Sequence, residues 1–196
     1  MERRFRLIGP ARHRRVPWKN GGGWTTELAS DAGADGRFGW RLSLADVEKS
    51  GPFSRFPGID RTIMLVEGRG FLLSVAGAPP VRIARPFAPF AFDGGVSTDC
   101  RLIAGPVRDF NLMVERTRHR AACAVIAPGR HVLALPARGT ELLHAIGAAR
   151  LAGLPGGRRQ DLGPGDTLVI SGEGALALML EVAPGAPLFR ASLAPC

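Results

Sequence analysis

Lysine is nearly missing from this chain: only Lys19 and Lys49 stand beside 24 arginines in 196 residues. Arginine and alanine enrichment at lysine's expense reads as a GC-rich coding bias, so the formal charge of +9 says little about partners. Its distribution supports that. Residues 1–19 hold seven basic side chains (Arg3, Arg4, Arg6, Arg12, Arg14, Arg15, Lys19) against Glu2, while the remainder carries 19 bases and 16 acids. No basic helix and no ladder of exposed aromatics accompanies the arm, so nucleic acid is not an expected partner. A solvated strand edge, where charge discourages edge-to-edge association, is expected instead.

Cysteine is scarce too. Cys100, Cys123 and Cys196 are odd in number and form no CxxC pair, which argues against a disulfide framework or zinc site and for a reducing compartment. The N-terminus lacks a continuous apolar stretch followed by small residues, so no signal peptide is read there. Apolar runs such as Ala175 to Leu180 are too short to span a bilayer. A cytoplasmic protein without membrane contact is expected. Catalytic signatures are equally sparse. There is no Gly-x-Ser-x-Gly elbow, and Gly68-Arg69-Gly70 does not continue into a dinucleotide fingerprint. In Lys19-Asn20-Gly21-Gly22-Gly23 the lysine precedes the glycines, the reverse of a P-loop.

What the chain does have is short strands and turns. Its 26 glycines and 16 prolines are dispersed. Trp40 to Ala45 alternates as a half-buried strand does, and Thr62 to Val66 is a β-branched and apolar run. That run closes at Glu67-Gly68-Arg69-Gly70 and resumes at Phe71-Leu72-Leu73, a predicted hairpin. Phe90 and Phe92 point one way on a short strand, and Phe110 to Val114 makes another. Asn20-Gly21 between apolar runs signals a turn, with Trp18 and Trp24 flanking it. The later half repeats this order: Glu141 to Gly147 echoes the run ending at Gly68, and Leu168, Ile170 and Gly172 echo Phe90, Phe92 and Gly94, at offsets of 79 and 78.

Two copies of one β module, residues 1–118 and 119–196, are therefore expected. The order of features (apolar strand, Gly-x-Gly turn, Pro-Gly-Asp before a strand ending in Gly) resembles a cupin jelly roll. The fold class expected is all-β: a bicupin of two fused jelly-roll sandwich or barrel modules in one body. Jelly rolls enclose a side-chain-lined hollow where small molecules bind.

Many cupins hold a metal in that hollow. Counting back from Gly68, the ligand positions fall near Arg55, Pro57 and Arg61, and the fourth near Ala91. None is a metal ligand type, and a guanidinium repels a divalent ion. No metal and no cofactor is expected. Arg61 instead suits a carboxylate, which its planar fork binds through paired charge-assisted hydrogen bonds. Arg41 and Ser43 share one strand face and offer a second cation and a hydroxyl, and Asp109 and Asn111 repeat that spacing. Asn20 can read an oxygen or nitrogen. Trp18, Trp24 or Trp40 can wall the pocket. Arg41 can equally bridge to Asp109 as a structural pair, and the tryptophans can be core.

Four blocks then resemble one family. Pro17-Trp18-Lys19-Asn20-Gly21-Gly22-Gly23 comes first, followed by Trp40-Arg41-Leu42-Ser43. Next are Gly51-Pro52-Phe53-Ser54-Arg55-Phe56-Pro57-Gly58-Ile59-Asp60-Arg61 and Val107-Arg108-Asp109-Phe110-Asn111-Leu112-Met113. In this order they are similar to the HutD/Ves family. The resemblance implies a cytoplasmic bicupin that accompanies histidine-utilisation enzymes and moderates that pathway, by binding an intermediate such as urocanate or a formylated glutamate. Ves members are linked more loosely to stress. By motif, Asn20, Arg41, Ser43, Arg61, Asp109 and Asn111 are the implied pocket positions, with no established catalytic residue among them. The leading expectation is a non-enzymatic, metal-independent protein that senses a small carboxylate. The alternatives are a metal-independent enzyme on a similar acid, with Asp109 as base, and a nucleic-acid-binding regulator using the basic arm. A homodimer is left open.

Overall fold

Strands make up almost all of the computed structural model, which describes residues 3–32 and 37–196. Glu2 of the basic arm lies outside the described residues. In chain order the strands begin with β1 (Arg4–Ile8), β2 (Arg14–Pro17), β3 (Gly23–Ser30), β4 (Trp40–Val47) and β5 (Gly51–Pro52). Then come β6 (Ile59–Glu67), β7 (Phe71–Val75), β8 (Val81–Ile83), β9 (Phe90–Asp93), β10 (Thr98–Leu102) and β11 (Val107–Glu115). The later half contains β12 (His119–Ile126), β13 (Gly129–Leu135), β14 (Arg138–Ala145) and β15 (Ala149–Leu154). It ends with β16 (Arg158–Leu162), β17 (Thr167–Glu173), β18 (Leu176–Val182) and β19 (Leu188–Pro195).

Residues 13–119 form one compact unit. A six-stranded sheet, ordered β2-β3-β4-β11-β6-β9, packs on a four-stranded sheet, β5-β10-β7-β8. Alternating positions of both sheets meet in one apolar cluster: Ala45 and Val47 of β4, Ile63 and Leu65 of β6, Phe71 and Leu73 of β7, Ile83, Cys100 and Val107. Burial drives the Cys100 thiol up to about 12, with Asp109 adding to the shift, so that cysteine behaves as a small apolar side chain.

Residues 3–12 and 120–195 form the second unit. Its sheets are ordered β1-β17-β14-β19-β12 and β13-β18-β15-β16. The expected boundary placed residues 1–118 in the first module, and β1 corrects it. Arg4 to Ile8 pair antiparallel with Ser171 to Thr167, so the backbone groups of β1 are satisfied on β17 at a sheet edge. Arg3 anchors the segment: its Nε donates to the Gly174 carbonyl at 2.6 Å and its Nη2 to the Pro136 carbonyl.

Both units are built alike. β9, β6 and β11 are neighbours in one, as β17, β14 and β19 are in the other. β6 starts at Ile59 and β14 at Arg138; β10 starts at Thr98 and β18 at Leu176. The repeat read from the sequence is thus a repeat of topology. Leucines fill the second unit, Leu143, Leu151, Leu168, Leu178, Leu180 and Leu188 among them, together with Ile170. Inside it Glu141 is 1% exposed and accepts from Arg190 Nε and Ser192 Oγ, both at 2.8 Å. His144 is buried, with Nδ1 2.8 Å from Thr167 Oγ1.

The predicted hairpin at Gly68-Arg69-Gly70 is not one. β6 belongs to the six-stranded sheet and β7 to the four-stranded sheet, so this segment crosses between layers. Gly68 and Gly70 take φ of +98° and +92°, and a Cβ on Gly70 would collide with the Ile83 carbonyl. A glycine turn between apolar runs reads identically in sequence whether the strands pair or part.

Candidate functional site

Register across the six-stranded sheet assembles the site. Arg41 of β4 and Arg61 of β6 both stand opposite Met113 of β11. The next inward-facing row is Ser43, Asn111 and Ile63; the next is Ala45, Asp109 and Leu65. Polar side chains thus occupy one end of this face and aliphatic ones continue into the core. A cavity of about 450 Å³ opens over the polar end, lined by Arg41, Arg61, Asp109, Asn111 and Met113 from the sheet. Thr25 and Glu27 of β3 line it as well.

Arg61 is the buried cation of the site, 5% exposed. Its Nε donates to Asn111 Oδ1 at 3.4 Å, and its Cζ lies 5.2, 5.8 and 5.0 Å from the ring centres of Phe53, Phe56 and Phe92. Burial lowers its pKa to about 10; Asp109 opposes that shift and Arg41 adds to it. Arg41 lies over Phe38 at 4.8 Å and Phe56 at 5.6 Å, and its Nη2 is 3.0 Å from Met113 Sδ. Burial lowers the Arg41 pKa as well, with Glu27 opposing, and its buried Nε has no hydrogen-bond partner. Among the described residues, neither guanidinium has a carboxylate within ion-pair distance.

Asp109 is 1% exposed and its Oδ2 has no hydrogen-bond partner. Desolvation pushes its carboxyl up to about 8, against the pull of Arg61 and with the help of Asp46. At neutral pH it is therefore mostly protonated, and it leaves the two guanidiniums uncompensated. Glu27 is the other lining carboxylate. It is engaged by Arg14 at 3.5 Å and by the Ser30 hydroxyl at 3.0 Å.

Two loops form the rim. In the β2–β3 hairpin, Trp18 N–H donates to the Gly23 carbonyl and Gly21 N–H to the Trp18 carbonyl. Asn20 Oδ1 accepts from Gly22 N–H at 3.0 Å, and Trp18 Nε1 donates to Thr25 Oγ1 at 2.8 Å. The loop after β5 brings Phe53 and Phe56, held by Phe53 N–H to Thr98 and Phe56 N–H to Gly94 carbonyls. Trp18 meets Phe53 edge-to-face, 6.0 Å between centroids.

Of the positions singled out in the sequence, Asn20, Arg41, Arg61, Asp109, Asn111 and Trp18 line this one cavity. Three do not. Ser43 is fully buried and its hydroxyl donates to the Asn111 carbonyl at 3.3 Å, bracing β4 against β11. Trp24 and Trp40 fall on the opposite parity from Thr25 and Arg41, hence on the other face of their strands. Trp24 lies under Arg15, 5.0 Å from ring centre to Cζ, and Trp40 is 4% exposed. Phe53, Phe56 and Met113 were missed as lining residues. All three sit inside the motif blocks, so the blocks themselves carried the signal.

The donor set does not fit the metal that many cupins hold. Among the described residues the cavity has no imidazole, one uncommitted carboxylate and three guanidiniums (Arg14, Arg41 and Arg61), and no three His, Cys, Asp or Glu side chains gather as a metal site. Again among the described residues, no helix is long and apolar enough to cross a membrane.

Comparison with known proteins agrees with the architecture. Oxalate decarboxylase from Lactobacillus farciminis, a cupin, has the same fold: TM-score 0.66 over 95% of this chain and 85% of that one, at 9% identity. HutD from Pseudomonas fluorescens SBW25, solved in a formate condition, is 32% identical with TM-score 0.85, over 98% of this chain and all of that one. An uncharacterised 21.2 kDa Pseudomonas putida protein from the hutC 3' region is 47% identical over 119 residues, 60% of this chain and 62% of its own. Protein Ves of Citrobacter koseri is 36% identical over 109 residues, 55% of this chain and 56% of its own. The chain thus spans about three fifths of the curated relatives it matches. The HutD family model matches residues 10–186, across both β units and every residue lining the cavity, and the chain belongs to the HutD family.

Proposed function

We propose that this protein is a metal-independent receptor for a small carboxylate, acting in the cytoplasm to moderate histidine utilisation. The observation that carries the reading is Arg61: a buried guanidinium inside a cavity, boxed by three phenyl rings and free of any carboxylate partner among the described residues. A buried cation without a counter-ion is costly, and an incoming carboxylate recovers that cost through a forked pair of hydrogen bonds. Asn111 and the protonated Asp109 supply further hydrogen bonds to the acid. The relative from the hutC 3' region links the family to histidine utilisation, so its acidic intermediates are the first ligands to try. Thermal-shift titration with urocanate and formylglutamate tests the reading. Stabilisation by either acid, lost in Arg61→Ala, is expected; no stabilisation by any small acid overturns it.

Asp109 favours a second reading. A carboxyl raised to about 8 inside a cavity is poised for proton transfer, so the same site suits an enzyme that binds the acid on Arg61 and moves a proton through Asp109. Turnover of a bound acid, abolished in Asp109→Asn with binding retained, separates this from sensing.

A further inference from the structure

We propose that the outer face of the sheet β13-β18-β15-β16 joins two copies of this chain, face to face, about a two-fold axis running along the strands between β18 and β15. The inference concerns the second β unit and stands apart from the ligand of the cavity.

Exposed apolar surface is the first reason. Alternation along these strands sends Leu133, Leu151, Leu178 and Leu180 into the core and leaves the opposite parity outside. Register sets the outside residues in rows across the sheet. One row is Arg130, Glu181, Arg150 and Asp161; the next is Val132, Met179, Ala152 and Arg159. Val132 is 69% exposed and Met179, directly opposite it, 51%. Ala134 and Ala177 are exposed beside them, so the apolar positions are contiguous. The corresponding sheet of the first unit, β5-β10-β7-β8, has the composition of a solvated face. Its outer positions carry Ser74, Arg82, Asp99 and Arg101 around a half-buried Leu72.

The order of charge is the second reason, and it selects a second copy as the occupant. Across the strands the charged row reads positive, negative, positive, negative, and each of its side chains is more than half exposed. A two-fold axis along the strands reverses the strand order of the facing copy. Arg130 of one copy then faces Asp161 of the other, and Glu181 faces Arg150, so every facing pair is of opposite sign. Size reverses in the same way: Met179 lies over the small Ala152, and Val132 over the aliphatic stem of Arg159. An axis across the strands instead lays the charged row over Ala134 and Ala177, which desolvates charges against methyl groups. Self-complementarity of this kind is what a two-fold interface requires. The face is four strands wide and up to seven residues long. Two copies therefore cover about 900 Å² in total, the size of a weak, reversible complex.

Sedimentation velocity of the full chain, from about 1 to 500 µM, tests this: the wild type is expected to pass from monomer to dimer within that range. Met179→Arg should leave a monomer at every concentration. Glu181→Arg sets an arginine against Arg150 of the other copy and should weaken the dimer at least about tenfold. Adding Arg150→Glu to Glu181→Arg should restore it. The row then reads positive, positive, negative, negative, which still meets opposite signs when reversed, although neighbours within one chain no longer alternate. That recovery separates contacts between copies from contacts inside one. Melting curves establish that the variants fold, and if Met179→Arg does not, Glu181→Arg and the exchanged pair still decide. A wild type that stays monomeric throughout overturns the proposal and gives the face to a different occupant. A dimer that survives Met179→Arg, or a folded exchanged pair that fails to recover from Glu181→Arg, overturns it as well.

Discussion

Arg41 and Arg61 stand opposite the same residue, Met113, from the two sides of β11, and both face the ring of Phe56. Two like charges at that range repel, and each loses water on burial. Aromatic faces offset part of that cost, about 0.5–2 kcal/mol per favourable cation–ring contact. The rest is recoverable only when an anion arrives, so the unliganded site holds its positive charge in readiness for one.

Replacing Arg61 by alanine should lower affinity for formylglutamate or urocanate by roughly 100-fold or more, read by calorimetry. Arg61→Lys should recover only part of the loss, because an ammonium lacks the planar fork. Full recovery by lysine would show that charge alone, and not paired hydrogen bonding, holds the acid.

Asp109 makes stability depend on pH. Its pKa is about 8 in the folded chain against about 3.9 when unfolded, so between those values the native state binds the extra proton. Its contribution is greatest below pH 4 and is lost as pH rises towards 8. Urea denaturation from pH 5 to 8 should show stability falling with pH, and Asp109→Asn should flatten that slope and be the more stable form at pH 8 by more than ~1 kcal/mol. A wild-type profile as flat as the variant's would mean the carboxyl is already ionised.

Acid binding should follow the same proton. Above pH 8 Asp109 ionises beside Arg61, cancels part of its charge and repels an entering carboxylate. Affinity for formylglutamate is expected to be several-fold weaker at pH 9 than at pH 6.5. The Asp109→Asn variant should bind equally at both pH values.

The three glycines at the rim are not equivalent. A Cβ on Gly23 would strike the Asp46 carbonyl, where β3 pairs with β4. Gly21 has a positive φ of +66° but open space around it. Gly23→Ala should therefore cost more than ~2 kcal/mol in denaturant unfolding and weaken acid binding by displacing Trp18, while Gly21→Ala should cost about 1 kcal/mol. Equal effects would detach Gly23 from the cavity.

Much of this was legible beforehand for a physical reason. Strand periodicity is local, so alternation at Trp40 to Ala45 and Phe110 to Val114 marked β4 and β11, and the repeat near 78 residues marked two modules. Parity along a strand is local too, which is why Arg41 and Ser43, or Asp109 and Asn111, were rightly paired on one face. The tryptophans show where that reading failed. Trp24 and Trp40 sit one residue out of phase with the lining, and aromatic character alone does not fix the face of a strand.

The amino-acid order by itself determined many of the strands, their inward faces and Arg61 on the strand that walls the cavity. Register between strands came only with the tertiary structure, because it depends on hydrogen bonds between residues far apart in the chain. That register set Arg41 and Arg61 on either side of Met113, stripped water from Asp109 and sealed Ser43 beneath the wall. Folding also carried β1 away from the module it precedes, since its unpaired backbone is satisfied on β17.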